Sequence, residues 1–156
     1  MADEAGVDLG ELPDAIGYVL RRVQLAIFDD FIRSLASVDL RPSQFSALVV
    51  IDRNPGLKQT QVSEALGIKR ANFVALVDEL EQRGLARRRQ VHGDRRSYAL
   101  ELTEAGQACL RAARALQAKH ERRIAARLGP GGREALLKFL QALLDRPLRA
   151  GREGER

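Results

Sequence analysis

The chain has 156 residues, 45% hydrophobic and 30% charged, with a formal net charge of +5, which suits one domain with a buried core or two small modules sharing helices. A single cysteine, Cys109, excludes an intrachain disulfide framework, and the longest purely apolar run, Ala47–Ile51, is far short of a membrane span. The start is acidic and no apolar block follows it, so no signal peptide is read and a cytoplasmic protein without membrane association is expected.

Charge is unevenly placed. Residues 1–14 hold Asp3, Glu4, Asp8, Glu11 and Asp14 and no base, whereas residues 83–96 hold Arg83, Arg87, Arg88, Arg89, Arg95 and Arg96 against Asp94 alone. A dense arginine run is the footprint of a polyanion partner; a solvated basic face is the alternative.

Residues 1–11 read as a disordered acidic tail. A long helix is expected from Pro13 to Ser37, because Leu12, Ile16, Val19, Val23, Ile27, Phe31 and Leu35 recur at spacings of three and four. A second stripe, Tyr18, Arg22, Leu25, Phe28 and Ile32, runs beside the first, so this helix must be covered on two sides, the second by another subunit. Pro42 opens a second helix, with Phe45, Leu48, Val49 and Asp52 on one face, and Asn54-Pro55-Gly56 ends it. A third helix spans Lys58 to Leu66 with Val62, Ala65 and Leu66 inward. Gly67 then supplies the left-handed residue that a tight turn between helices requires. A fourth helix spans Lys69 to Arg83, burying Phe73, Leu76, Val77 and Leu80, and Gly84 caps its end.

Leu85–Val91 and Arg96–Leu102 read as paired strands joined by a turn at His92-Gly93-Asp94-Arg95. Tyr98, Leu100 and Leu102 alternate with Ser97, Ala99 and Glu101. Thr103 suits a helix N-cap and opens a fifth helix, from Glu104 to Leu128. Its apolar face carries Cys109, Ala113, Leu116, His120 and Ile124, and its basic face Arg111, Arg114, Arg122 and Arg123. Gly129-Pro130-Gly131-Gly132 stops it, and a last helix runs from Arg133 to Asp145 with Leu136, Phe139, Leu140, Leu143 and Leu144. Residues 147–156 form a charged tail.

The expected fold is therefore mainly α with a small β-hairpin wing. A winged helix-turn-helix module (40–102) sits between the two parts of a helical dimerisation layer (12–37 and 104–146). In such a module the second helix of the turn enters the major groove of duplex DNA. Its first residues here are Lys69, Arg70 and Asn72; a basic side chain can bond guanine O6 and N7, and Asn can bond adenine N6 and N7. Val74 and Ala75 follow and can meet thymine methyl groups, or in the case of Val74 simply pack. Lys58 adds charge at the start of the third helix, and Arg88 is the wing-strand arginine placed toward phosphate. Arg95 and Arg96 at the wing tip suit a minor groove, where A·T tracts concentrate negative potential. Asp94 either holds Arg96 by a charge-assisted bond or serves only as a turn former.

Three stretches carry a resemblance: LKQTQVSEALGI (57–68), VDELEQRGL (77–85) and GDRRSYALELTEAG (93–106). Together they resemble the MarR family of bacterial winged-helix repressors. The wing matches the family's D-x-R and L-T-x-x-G pattern through Asp94, Arg96, Leu102, Thr103 and Gly106. The resemblance implies a homodimer built on the terminal helices, a roughly palindromic DNA site, and Asp94 orienting Arg96. It also implies release from DNA by a small aromatic or phenolic ligand held between the dimer layer and the DNA module. Three features depart from the pattern. Arg41, Lys58 and Lys69 stand at helix starts where the family often has Ser, Thr or Asp. Val74 and Ala75 replace polar residues. Peroxide-sensing members use a cysteine near the N-terminus, whereas Cys109 lies mid-helix on an apolar face, where an inert buried thiol is expected.

Tyr18, Arg22 and Phe45 are the candidate ligand residues, since Tyr and Arg bind carboxylates or phenols and Phe stacks on a ring. His120 either joins them or is a satisfied buried histidine. The basic residues nearby also suit an aryl-coenzyme A thioester, which would fit a regulator of aromatic-acid degradation. Two histidines and one cysteine make a poor zinc set, and no nucleotide fingerprint or catalytic grouping occurs. A transcriptional repressor without cofactor or enzymatic activity is expected; the rival is a winged-helix adaptor for an acidic protein.

Overall fold

The computed structural model of the chain describes residues 6–91 and 94–145, with backbone placement alone at 91 and 94–97. The acidic tail expected at 1–11 falls partly, and the tail at 147–156 wholly, outside the described residues, as do the turn residues His92 and Gly93. The elements are α1 (Ile16–Leu35), α2 (Pro42–Arg53), α3 (Gln59–Ala65), α4 (Arg70–Gln82), β1 (Ala86–Val91), β2 (Asp94–Leu102), α5 (Glu104–Leu128) and α6 (Gly132–Asp145). Short 3-10 turns, Leu12–Asp14 and Ala36–Val38, flank α1, so the helix expected from Pro13 to Ser37 begins only at Ile16, after the extended Ala15, and tightens into a 3-10 turn at its end.

The chain forms two compact units, Met1–Gln117 and Ala118–Arg156. In the first, the core draws on every helix and on the wing: Leu35, Leu48, Ile51, Val62, Phe73, Val77, Leu80, Leu100 and Leu110 are all essentially sealed from water. The inward face of α4 is the one its periodicity predicts, Phe73, Leu76, Val77 and Leu80. The inward face of α3 differs from expectation. Val62 and Ser63 are buried and Ala65 is exposed. The Ser63 hydroxyl can go inside because it donates to the Thr60 carbonyl at 2.8 Å.

Helices α2 and α3 begin without a hydroxyl or carboxylate cap. Gln44 and Gln61, in the first turn, reach back instead, their Oε1 atoms accepting from the backbone N–H of Arg41 at 3.0 Å and of Lys58 at 2.9 Å. This is the glutamine half of a capping box. Between α3 and α4, Gly67 turns the chain with φ of 63°, a value open to glycine without steric cost.

β1 and β2 pair antiparallel with Arg88 opposite Leu100 and Arg87 opposite Glu101, and the register slips between Gln90 and Val91. The α2–α3 loop adds a third edge: Leu100 donates to the Leu57 carbonyl at 3.0 Å and accepts from Gly56 N–H at 3.4 Å, and Lys58 bridges Ala99. That extra edge buries Ala99 together with Leu100, so β2 does not keep the simple in-and-out alternation expected of it, and Tyr98 stays exposed.

Thr103 joins the wing to α5. Its hydroxyl donates to the Gly84 carbonyl at 2.6 Å and accepts from Gly106 N–H at 3.0 Å, while its own N–H donates to the Leu85 carbonyl at 3.2 Å. A Cβ at Gly106 would sit 1.9 Å from that Leu85 oxygen. The chain passes so closely here that only glycine fits.

The second unit holds the end of α5 and α6. Arg133 donates to Glu121 at 3.1 Å across the turn between them. No helix among the described residues is long and apolar enough to cross a membrane.

Candidate nucleic-acid interface and the ligand residues

The first residues of α4 stand clear of the core. Lys69, Arg70, Asn72, Val74 and Ala75 are all exposed, because the helix spends its other face on Phe73, Leu76 and Val77. Neither Lys69 nor Arg70 has an acidic partner among the described residues.

Between α3, α4 and the wing lies an open crevice of about 440 Å³. It gathers Lys58, Arg70, Val74 and Arg88 of the sequence-predicted set, and adds Gln59, Thr60 and Tyr98. Those additions were missed because a lone glutamine, threonine or tyrosine carries no charge signal; the antiparallel register and the α3 start bring them together.

The arginines of β1 behave differently from a free basic strip. Arg87 donates to Glu101 at 2.9 Å, and Arg89 pairs with the same carboxylate at 2.8 Å. Arg88 points the other way and is held by α4: its guanidinium meets Asp78 at 2.6 Å, Glu81, the Val74 backbone carbonyl at 3.3 Å and, on α3, the Gln59 side-chain Oε1 at 2.9 Å. It was expected to reach for phosphate; its donors are already engaged within the module. The side chains of Asp94, Arg95 and Arg96 lie outside the described residues.

Other ion pairs tie the recognition helix to the α1–α2 corner. Arg41 pairs with Glu79, whose carboxylate also accepts from Gln44 at 2.9 Å, and Arg83 donates to the Asp39 carbonyl at 2.5 Å. Arg114, expected on a free basic face of α5, instead pairs with Asp52 of α2 at 2.8 Å.

Of the candidate ligand residues, Tyr18 and Arg22 act together. Arg22 donates to the Tyr18 hydroxyl at 3.1 Å, and its guanidinium lies 5.9 Å from the ring centroid. Phe45 is buried in the core, edge-on to Phe31 with centroids 5.6 Å apart. Phe31 and Tyr18 are separated by about 20 Å along α1 at the helical rise of ~1.5 Å per residue. Tyr18 and Arg22 therefore do not converge with Phe45. His120, in the second unit, is buried, only 3% exposed, and is not without a partner. Burial raises the pKa of the Cys109 thiol; Arg83 opposes that shift and Asp39 adds to it.

The MarR family model matches residues 38–97. A protein of Thauera aromatica assigned to transcriptional regulation of the hcr operon is 33% identical over 144 residues, spanning 91% of this chain and 86% of that protein. Among solved structures, the transcriptional repressor CouR bound to a 23-mer DNA duplex is 47% identical, with a TM-score of 0.85 over 90% of this chain and 99% of that one. CouR bound to p-coumaroyl-CoA is 43% identical, with a TM-score of 0.83 over 91% and 99% of the two chains.

Proposed function

Because the chain belongs to the MarR family of transcriptional regulators, we propose that it is a cytoplasmic repressor that binds a roughly palindromic duplex as a homodimer and leaves it when a small aromatic acid, or its coenzyme A thioester, binds. The observation that carries the reading is the free face of α4, where Lys69, Arg70, Asn72, Val74 and Ala75 stand exposed beside Lys58. In this reading Arg70 and Asn72 bond base edges, Lys58 and Lys69 meet phosphates, and Val74 and Ala75 touch thymine methyl groups. Arg95 and Arg96 enter the flanking minor groove with Asp94 steadying Arg96. Residues 12–37 and 104–146 form the dimer layer, and residues 40–102 the DNA module.

The class of ligand is supported by the likeness to a CouR structure that holds p-coumaroyl-CoA. Tyr18 and Arg22 are the residues assigned to it, a phenol and a guanidinium already in register to take a carboxylate or phosphate oxygen.

Fluorescence anisotropy on the duplex upstream of the chain's own gene tests both halves. Tight binding that weakens steeply with salt is expected, followed by release on adding hydroxycinnamic or benzoic acids or their coenzyme A thioesters. Failure to bind any duplex recovered from a random pool at low salt would favour a protein adaptor instead.

A further inference from the structure

Arg88 sits in the middle of an arginine run, yet its side chain is only 18% exposed. The register explains this. Arg88 faces Leu100 across the sheet, and Leu100 is fully buried, so both side chains are directed into the module. There the guanidinium spans two helices. Nε donates to Gln59 of α3; Nη1 donates to Asp78 and Glu81 of α4; Nη2 donates to the Val74 carbonyl, also on α4. Glu81 in addition accepts from the Arg88 backbone N–H at 2.7 Å. Val74, Asp78 and Glu81 lie four and three residues apart and form one face of α4 turned toward the wing. The cluster holds one positive and two negative side chains, so its net charge is −1, the wrong sign for attracting phosphate.

We propose that Arg88 is a positioning residue for DNA recognition: a planar strut that fixes the wing and α3 at a set angle to the recognition helix, so that α4 and the wing tip reach their grooves together. This rests on the repressor reading above. It assigns to Asp78 and Glu81 a role that their charge alone would not suggest. Acids facing a DNA-binding surface should weaken binding, and here they are required for it.

The sign of that requirement makes the test. A duplex is first selected from a random pool by the wild-type protein. Affinity for it, and for a scrambled duplex of equal length, is then followed across salt concentration. Asp78→Asn/Glu81→Gln removes two negative charges from the wing-facing side of α4 and leaves side-chain shape nearly unchanged. We expect it to bind the selected duplex at least tenfold more weakly while binding the scrambled duplex more tightly, so that discrimination collapses. Arg88→Ala loses a similar factor on the selected duplex and keeps the wild-type salt slope. Arg88→Lys does not restore binding, since a point charge cannot span the same partners.

Three results would overturn the proposal. In one, the double variant binds the selected duplex as well as or better than wild type, as it would if the acids merely held Arg88 back from phosphate. In another, Arg88→Ala lowers the salt slope by about 0.9 on both duplexes, the signature of one lost phosphate contact. In the third, the variants lose only active fraction, measured by stoichiometric titration, and the folded remainder keeps wild-type affinity. A wild-type protein that selects no duplex is a separate outcome: it removes the repressor reading, and this inference with it.

Discussion

Gly106 and Thr103 account physically for a motif that sequence offers only as a pattern. Thr103 closes the start of α5 and clasps the end of α4 through Gly84, and that clasp draws Gly106 against the Leu85 carbonyl. Gly106→Ala sets a methyl group against rigid backbone; a loss of about 3 kcal/mol is expected, at the upper end of overpacking costs, read as a lower urea midpoint with unchanged m-value. Cys109 presents a case of chemistry suppressed by its surroundings. With its pKa raised by burial, the thiol keeps its proton at neutral pH, so iodoacetamide should label the native protein far more slowly than the urea-unfolded one. The sign for stability follows. Below the ordinary thiol pKa both states hold the proton; as pH rises past it the unfolded chain ionises first, and the contribution is lost. The N-cap role of Thr103 was legible from sequence, whereas Cys109, expected to be a buried thiol, is half-buried. The fate of Arg88 was not, because which arginine of a run faces inward depends on its cross-strand partner, and that is set by register rather than by composition.

At the scale of elements, helix order and the buried face of α4 follow from periodicity, which is strong when apolar residues repeat over several turns. The short α3 was harder to read, since seven residues give less than two turns of pattern and a serine can be buried by bonding to its own backbone. The joining of the α2–α3 loop to β2 was invisible for a different reason: it is a long-range pairing with no local signal. The recognition helix and wing tip make separable predictions. Asn72→Ala should cost about 1–3 kcal/mol on the selected duplex and almost nothing on a scrambled one, the mark of a base contact. Lys69→Ala should weaken both alike and reduce the salt slope, as a phosphate contact does. Arg96→Ala should weaken operator binding tenfold or more with the dimer intact on a sizing column; undiminished affinity would remove the wing from the interface.

For the whole molecule, each compact unit leaves apolar surface uncovered. In the first, α1 exposes Ile16, Val19, Leu20, Val23, Leu25, Phe28 and Ile32; in the second, α6 exposes Leu137, Phe139, Leu143 and Leu144. Surface of that kind on helices is what a second copy would cover. Val23→Asp should convert the dimer to monomer by sedimentation while α-helical content is retained, and should abolish binding to a full palindrome. That α1 is apolar on two sides was legible, but the division was not: of the first stripe, expected to be covered within the chain, Ile16, Val19 and Val23 are as open as Leu25, Phe28 and Ile32 of the second. Which residues of the second copy cover them was not legible either, since one chain's sequence does not encode the pairing geometry directly. The third edge on the wing bears on how such a molecule lets go of DNA. Because Leu100, which faces Arg88 of β1 across the hairpin, spends both its N–H and its carbonyl on the α2–α3 loop, the base of the wing is tied by its backbone to the helix-turn-helix. The amide of Leu100 should then exchange with deuterium only on global opening. On the repressor reading proposed above, a ligand would then release DNA by swinging each module as a rigid paddle and changing the span between the two recognition helices, and not by peeling the wing away at its root.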